Sequence, residues 1–472
     1  MKRSLVLLAI LMLAAIGAAI SYQATSRDGD YRAFLARGDA ALREDQTFGA
    51  IEAYSGAIAL RDDSMLAYLR RGETYQRRGE LEAAARDFQT AATLDPTATR
   101  PLDELGDVRY LQQRFHRAAE IYEQYLRLDD RAAAVSYKLA LARYRDGNVD
   151  GALAALDVTL RLNGRLADAY YLRGLCLRDQ ARVGDARQAL ERAVALSPGA
   201  IPAREELADL YGSLARRSEE LEQLQVIAGL DRNRVERQVA VGLAHARWSA
   251  DPQEPASRRA GHADLAVLTL GGALERAPDQ PLVYGALGRV WLDIAQARND
   301  RVSLNKALEA LERVGSTNAA TSDTLTLYGR ALLQSGRVDL AERTWQQATE
   351  RYPVEPTAFV FYATAAEQQN HLEAARQALI RYGALVGDDE GFVTRAERIA
   401  ALSLRMNDAP TAVEWLARAN AVSVVDVHLL ELLAQAQLKA GDRPAAENTV
   451  TRALEKDPKN AALLALSRRV RN

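Results

Sequence analysis

Apolar and small residues recur along this chain at helical spacing, in a pattern that repeats every 34 residues. In one unit, Tyr68, Gly72 and Tyr75 lie at i, i+4 and i+7, so they share one face of a helix. After a polar turn, Ala84 and Phe88 begin a second stripe of the same kind. Each unit therefore predicts two helices joined by a turn. The small residues that mark the period are Gly38, Gly72, Gly106, Ala140, Gly174, Ala208 and Gly242.

These small residues are expected where the two helices of a unit cross, because a missing side chain lets two backbones approach closely. A helical hairpin of this length cannot bury its apolar face alone, so successive units must stack on each other. The phase continues to about residue 460 and gives about twelve units. The pattern therefore predicts an all-α chain built as an α-solenoid.

The residues of the second unit resemble the tetratricopeptide repeat, whose aromatic, glycine, alanine and proline positions correspond here to Tyr68, Gly72, Tyr75, Ala84, Phe88, Ala91 and Pro96. The resemblance covers nearly the whole chain. It implies an α-solenoid superhelix of about twelve repeats and a general role in protein binding. Two specialised subtypes are not matched, because the positions of a carboxylate-binding clamp hold Leu35, Asp39 and Arg70, and the asparagine ladder of another subtype is missing.

Breaks in the repeat phase divide the chain. Pro252 and Pro255 interrupt the seventh unit after its first helix, which predicts an exposed loop there. The predicted order is an N-terminal segment 1–22, a linker 23–30, repeats 31–247, a loop insertion 248–262, further repeats 263–460 and a C-terminal capping helix 461–472.

The N-terminal segment has the composition of an export signal. Lys2 and Arg3 precede an unbroken apolar stretch from Leu5 to Ile20. The segment is either cleaved or retained as an inner-membrane anchor, and its long apolar stretch favours the anchor. In both cases the positive end stays in the cytoplasm. The repeats are therefore expected outside the cytoplasm, in the periplasm of a bacterium.

Composition and motifs argue against an enzyme or a nucleic-acid-binding protein. The 61 basic and 63 acidic residues nearly cancel, with a net charge of −2. No phosphate-binding loop or nucleophile motif occurs, Cys176 is alone, and a small buried role is expected for it. The histidines lie in separate units and lack the spacing of metal ligands, so no metal site is predicted. No cofactor, no catalytic residue and no small-molecule substrate are predicted either. The five histidines are His116, His245, His262, His371 and His428.

A partner-binding surface is expected on the first helix of each unit, because these helices line the inner curve in the resembled family. Residues not needed for packing in the third to fifth units form an aromatic band there, which would suit an extended peptide or a partner helix. The alternative is that the tyrosines rotate inward and belong to the core. The candidate residues are Tyr110, Leu111, Tyr137, Leu141, Tyr144, Tyr171, Leu175 and Arg178.

These observations predict a non-enzymatic scaffold or adaptor in the bacterial cell envelope that binds other proteins or peptides. The alternative function is an accessory role in the export or assembly of an envelope polymer, such as an exopolysaccharide or an appendage.

Overall fold

A computed structural model describes residue 12 and residues 26–387, 391–422 and 426–471. Every regular element in these ranges is an α-helix or a short turn, which confirms the all-α prediction. The chain forms two compact units, Met1–Arg216 and Arg217–Asn472. Within each unit, helices pair as antiparallel hairpins, and the two members are called the A helix and the B helix.

Unit 1 contains five hairpins followed by one further A helix. In the four hairpins after the first, each A helix packs on its own B helix, and every B helix of the unit packs on the A helix that follows it. The helices are α1 (residues 26–43), α2 (Thr47–Leu60), α3 (Met65–Arg77), α4 (Leu81–Leu94), α5 (Thr99–Leu111), α6 (Phe115–Leu128), α7 (Ala133–Arg145), α8 (Val149–Leu162), α9 (Ala167–Asp179), α10 (Val183–Leu196) and α11 (Ile201–Ser213).

Unit 2 begins with a B helix, continues with six hairpins and ends with a single amphipathic helix. The helices are α12 (Arg217–Leu230), α13 (Val235–Ser249), α14 (Ala256–Arg276), α15 (Pro281–Arg298), α16 (Arg301–Gly315), α17 (Ser322–Gln334), α18 (Val338–Ala348), α19 (Thr357–Gln368), α20 (Leu372–Val386), α21 (Phe392–Arg405), α22 (Ala409–Val422), α23 (Val427–Lys439), α24 (Arg443–Lys456) and α25 (Ala461–Arg471).

The small residues of the 34-residue period lie at the crossing of the two helices in each hairpin. A Cβ atom at Gly72 would lie 2.7 Å from Cε1 of Phe88 on the facing helix. At Gly174 it would lie 2.6 Å from Cγ of Leu190. Phe88 and Leu190 are themselves buried. The glycine on helix A therefore makes room for a large residue on helix B, and this exchange explains the sequence period.

The turns between A and B helices contain a residue in the left-handed region. Gly79 has φ +79° and Gly336 has φ +83°, a conformation that costs glycine little. The same position is held by Gln113 with φ 59° and Ala181 with φ 57°. The hairpin geometry is thus kept even where the sequence does not supply glycine.

The first helix begins earlier than predicted. Residues 26–30, assigned to the linker 23–30, are helical and belong to α1. Asp28 forms ion pairs with Arg32 at 2.7 Å and with Arg61 on α2 at 3.2 Å, so this polar stretch is helix surface. The predicted export segment 1–22 lies, apart from residue 12, outside the described residues. Within the described ranges, no helix combines the length and apolar character that crossing a membrane requires.

The predicted loop insertion 248–262 is shorter in the structure. Residues 256–262 are helical and form the first two turns of α14, which has 21 residues. Only residues 250–255 connect α13 to α14. Pro255 directly precedes α14, and Ala256 and Ala260 favour helix formation after it. The two prolines therefore do not prevent residues 256–262 from being helical.

This extension brings two histidines together, contrary to the expectation that the histidines are isolated. Nδ1 of His245 on α13 lies 2.9 Å from Nδ1 of His262 on α14. The ring of Trp248 stacks on His262, with centroids 4.0 Å apart. Burial lowers the pKa of His245, and the neighbouring His262 lowers it further. Burial also lowers the pKa of His262, although Glu254 opposes this shift. The folded protein therefore disfavours protonation of both rings.

The histidine pair should make stability depend on pH. Both pKa values are lower in the folded chain than the unfolded value of about 6.5, so the unfolded chain binds protons first as the pH falls. The stabilisation from the unprotonated histidine pair is therefore complete above about pH 6.5 and is lost as the pH falls below this value. The urea midpoint of the wild type should fall more between about pH 7.5 and about pH 5 than that of His262→Gln. His428→Gln, at an exposed site on α23, should keep the wild-type pH dependence. The same pH dependence of the urea midpoint in the wild type, His262→Gln and His428→Gln would contradict this role of the histidine pair.

Candidate partner-binding face

The eight candidate residues lie on three successive A helices of unit 1, α5, α7 and α9. We call them the tyrosine face. Leu111 is 57% exposed and Arg178 is also exposed, whereas the other six side chains are half-buried. The 34-residue period places Tyr137 and Tyr171 at the same position of neighbouring A helices, and Tyr110 and Tyr144 at another shared position. The helical repeat therefore gathers aromatic rings from separate units onto one surface.

Tyr137 lies at the centre of this surface. Burial raises its pKa to about 12, and Asp168 on the next A helix adds to the shift, as do Tyr110 and Tyr171. These groups therefore lie close enough to influence one another. In the part of the chain that the structure describes, the hydroxyls of Tyr110, Tyr137 and Tyr171 have no hydrogen-bond partner. Three polar groups are thus available to an incoming molecule.

Tyr144 and Arg178 belong to a polar cluster at the other end of the same helices. The Tyr144 hydroxyl donates to Oδ2 of Asp179 at 2.9 Å. Arg178 donates to Asp179 at 3.0 Å and to Glu206 on α11. Burial raises the pKa of Tyr144 to about 12, and the hydrogen bond to Asp179 adds to the shift. The polar groups at this end of the face therefore already have hydrogen-bond partners within the chain.

The underside of the rings packs on the core. Tyr110, Tyr137 and Tyr144 contact a buried cluster that includes Leu139 and Leu156. Tyr171 contacts the next cluster, around Leu190. Tyr110 also meets Phe115 edge to face, with ring centroids 5.2 Å apart. One side of each ring therefore packs on the core, and the other side remains open. The hypothesis of a binding groove and the hypothesis of a core position each describe one side of the ring.

The structure adds charged residues that the sequence pattern did not single out. Nζ of Lys138 on α7 donates to Asp103 and to Asp107 on α5, each at 2.7 Å. Tyr122 donates to the other oxygen of Asp107 at 2.6 Å. Lys138 lies 35 residues after Asp103 and 31 residues after Asp107, so it joins different positions of neighbouring A helices and the 34-residue period does not reveal the pairing.

A small pocket opens beside Tyr171. Asp168 and Tyr171 of α9 form one wall, and small residues of α10 and α11 form the others; they are Ala193, Ala200, Pro202 and Ala203. The pocket arises because Pro202 and alanines leave the A helices without large side chains at this point.

A family model described as tetratricopeptide repeat matches residues 35–99, 104–166, 147–201 and 328–385. These matches carry the same helix pairs and glycine positions that the structure shows. The chain therefore contains tetratricopeptide repeats. Tetratricopeptide repeats are protein-binding modules and are typically not catalytic. A comparison with curated proteins found no match.

Three solved structures that are similar to this chain each match less than half of its length. MamA from Desulfovibrio magneticus RS-1 is 22% identical over 36% of this chain and 96% of its own, with a TM-score of 0.35. YrrB, described as a TPR protein with an unusual peptide-binding site, is 21% identical over 40% of this chain and 97% of its own, with a TM-score of 0.35. PilF of Pseudomonas aeruginosa is 19% identical over 45% and 97%, with a TM-score of 0.37.

Guanidinium groups also link neighbouring A helices in unit 2. Arg398 on α21 bonds to Glu367 and to Thr364 on α19, both at 3.1 Å. Arg330 on α17 bonds to Gln296 on α15 at 3.1 Å. Half-buried aromatic side chains lie on these helices as well, among them Tyr328 on α17 and Phe361 on α19. Aromatic rings are therefore found on A helices of both units.

Cys176 lies beneath the tyrosine face and is fully buried. Burial raises the pKa of its thiol to about 11 and Asp179 adds to the shift, so the thiol stays protonated. It fills a small core position, as the sequence predicted. Among the described residues, no group of three or more histidine, cysteine or carboxylate side chains is arranged to hold a metal ion.

Proposed function

We propose that this chain is a non-enzymatic scaffold of the bacterial cell envelope that binds a peptide or partner helix along the tyrosine face. The observation that carries the proposal is the set of half-buried rings on α5, α7 and α9 with free hydroxyls. A ring fixed on the core loses little conformational freedom when a partner covers its open side. Aromatic residues held in this way are common anchors of protein interfaces.

A photoreactive amino acid placed on the tyrosine face should cross-link to the partner in living cells. Leu111 is a suitable position because it is 57% exposed on α5, and replacing it should not disturb the core. The matched control is Gln188, an exposed residue of the B helix α10 in the same unit. We expect adducts from position 111 and none from position 188, identified by mass spectrometry. Adducts from position 188 alone would place the binding surface on the B helices.

The envelope location is supported by the sequence of the N-terminal segment, with Lys2 and Arg3 ahead of the apolar stretch Leu5–Ile20. Alkaline phosphatase fused after Asn472 should therefore be active in cells, because that enzyme needs an oxidising compartment to fold. The same fusion without residues 1–22 should be inactive. Equal activity of the two fusions, or activity only of the shortened one, would contradict export through this segment.

A further inference from the structure

We infer that the tyrosine face takes a basic partner segment, in which lysine or arginine side chains lie over Tyr137 and Tyr171 and pair with Glu104 and Asp168. This inference rests on the proposed function and specifies the chemistry of the partner. It follows from the distribution of charge on the A helices of unit 1 and from the state of the tyrosine rings.

Two cations of this surface are each shared between two carboxylates. Lys138 lies between Asp103 and Asp107. Arg178 lies between Asp179 and Glu206. Each of these two cations therefore neutralises only one of its two carboxylates. Arg100 on α5 pairs with Glu73 on α3 instead.

Two further carboxylates on the same surface have no partner. Within the described residues, Glu104 on α5 and Asp168 on α9 make no ion pair and accept no side-chain hydrogen bond. Burial raises the pKa of Glu104, and the nearby charges of Glu73, Asp107 and Asp103 raise it further, whereas Arg100 lowers it by a smaller amount. The site is thus under like-charge repulsion that an incoming cation would relieve.

The tyrosine rings offer the second half of the site. Elsewhere in unit 1, guanidinium groups already lie over aromatic rings, for example Arg61 at 4.8 Å from the centroid of Tyr31 and Arg216 at 4.9 Å from that of Tyr211. Among the described residues no such cation covers Tyr137 or Tyr171. An open ring face beside a free carboxylate attracts a cation by both its quadrupole and the neighbouring charge.

The long stems of lysine and arginine also match the apolar part of the surface. Leu141 and Leu175 are half-buried between the rings. An aliphatic stem can cover such a leucine while its charged end reaches a carboxylate. An acidic segment would instead place its charges against Glu104 and Asp168, which costs binding energy.

Two designed helical peptides of about four turns test the inference. Both carry leucines on one face, and the other face carries lysines in the first peptide and glutamates in the second. Binding to the full chain is measured by fluorescence anisotropy at about 50 mM and about 500 mM NaCl. We expect the lysine peptide to bind and to weaken at high salt, and the glutamate peptide not to bind.

A pair of matched double variants locates the binding. Glu104→Gln with Asp168→Asn should weaken the lysine peptide at least about tenfold. Asp157→Asn with Asp185→Asn removes the same charge from the B helices α8 and α10, where Asp157 pairs with Arg173 and Asp185 with Arg182. This control should bind like the wild type.

Equal loss in the two double variants would show only an effect of net charge and would overturn the inference. Preference for the glutamate peptide, or no binding of either peptide, would also overturn it. The proposed function is tested separately by cross-linking at Leu111, so a partner that cross-links there and is not basic would refute the inference and leave the function standing.

Discussion

Replacing Gly174 by leucine is expected to destabilise unit 1 by about 3 kcal/mol or more. The first added atom would lie 2.6 Å from Cγ of Leu190 and 2.7 Å from Cδ2, well inside contact distance. Leu190 is 1% exposed and cannot move aside without opening the core around it. The α9–α10 hairpin must therefore separate, and the loss should be visible in urea unfolding followed by circular dichroism.

The matched control for Gly174→Leu is Gly184→Leu on α10. A side chain at Gly184 would meet no atom within 4 Å, and leucine is a better helix former than glycine. This variant should be as stable as the wild type or slightly more stable. Similar midpoints for the two variants would mean that the small residues of the 34-residue period do not mark the helix crossings.

The period itself explains why the fold was predictable from sequence. Each glycine of the series faces a large residue of the next helix, as Gly72 faces Phe88, so the same local rule is written many times. A solenoid is stabilised by contacts between neighbouring repeats, and no long-range pairing has to be guessed. Spacing alone was therefore sufficient to predict helices, hairpins and stacking.

The α13–α14 connection could not be predicted in the same way. Two prolines in a polar stretch indicate a loop, but the structure starts a helix directly after Pro255. The contact of His245 with His262 crosses that connection and follows no repeat spacing. Such a pairing depends on the exact length of the loop and on the stacking of Trp248, neither of which the repeat pattern encodes.

The position of the tyrosine face could be predicted from the sequence, but the burial of its rings could not. Repeat phase placed Tyr137 and Tyr171 on one surface, because equal positions of successive A helices lie side by side. It could not decide how far each ring turns towards the core, since that depends on side-chain packing against residues such as Leu190. The pairing of Lys138 with two aspartates was equally hidden, because it joins different positions of neighbouring helices.

Replacing Tyr171 by alanine is expected to weaken partner binding by about 2 kcal/mol or more, roughly thirtyfold in dissociation constant. The free energy of unfolding should fall by less than the roughly 3–5 kcal/mol that truncation of a buried aromatic residue costs. Tyr171 is only half-buried, and the adjacent Tyr170 fills the position towards α10, where Arg192 lies 5.9 Å from its ring centroid.

Tyr122→Ala provides the matched comparison for a core ring. Tyr122 is 1% exposed, occupies the space that Gly106 leaves open, and donates a hydrogen bond to Asp107. Its truncation should cost about 3–5 kcal/mol of unfolding free energy. The two tyrosines lie in the same unit, so the comparison separates a ring that supports the fold from a ring that serves a partner.

Binding along the tyrosine face is tested by the affinity of Tyr171→Ala for the partner cross-linked at position 111, measured together with the unfolding midpoint of the variant. We expect a loss of roughly thirtyfold in affinity, with a midpoint close to that of the wild type and well above that of Tyr122→Ala. An unchanged affinity would contradict binding along the tyrosine face, and a midpoint as low as that of Tyr122→Ala would assign Tyr171 to the core.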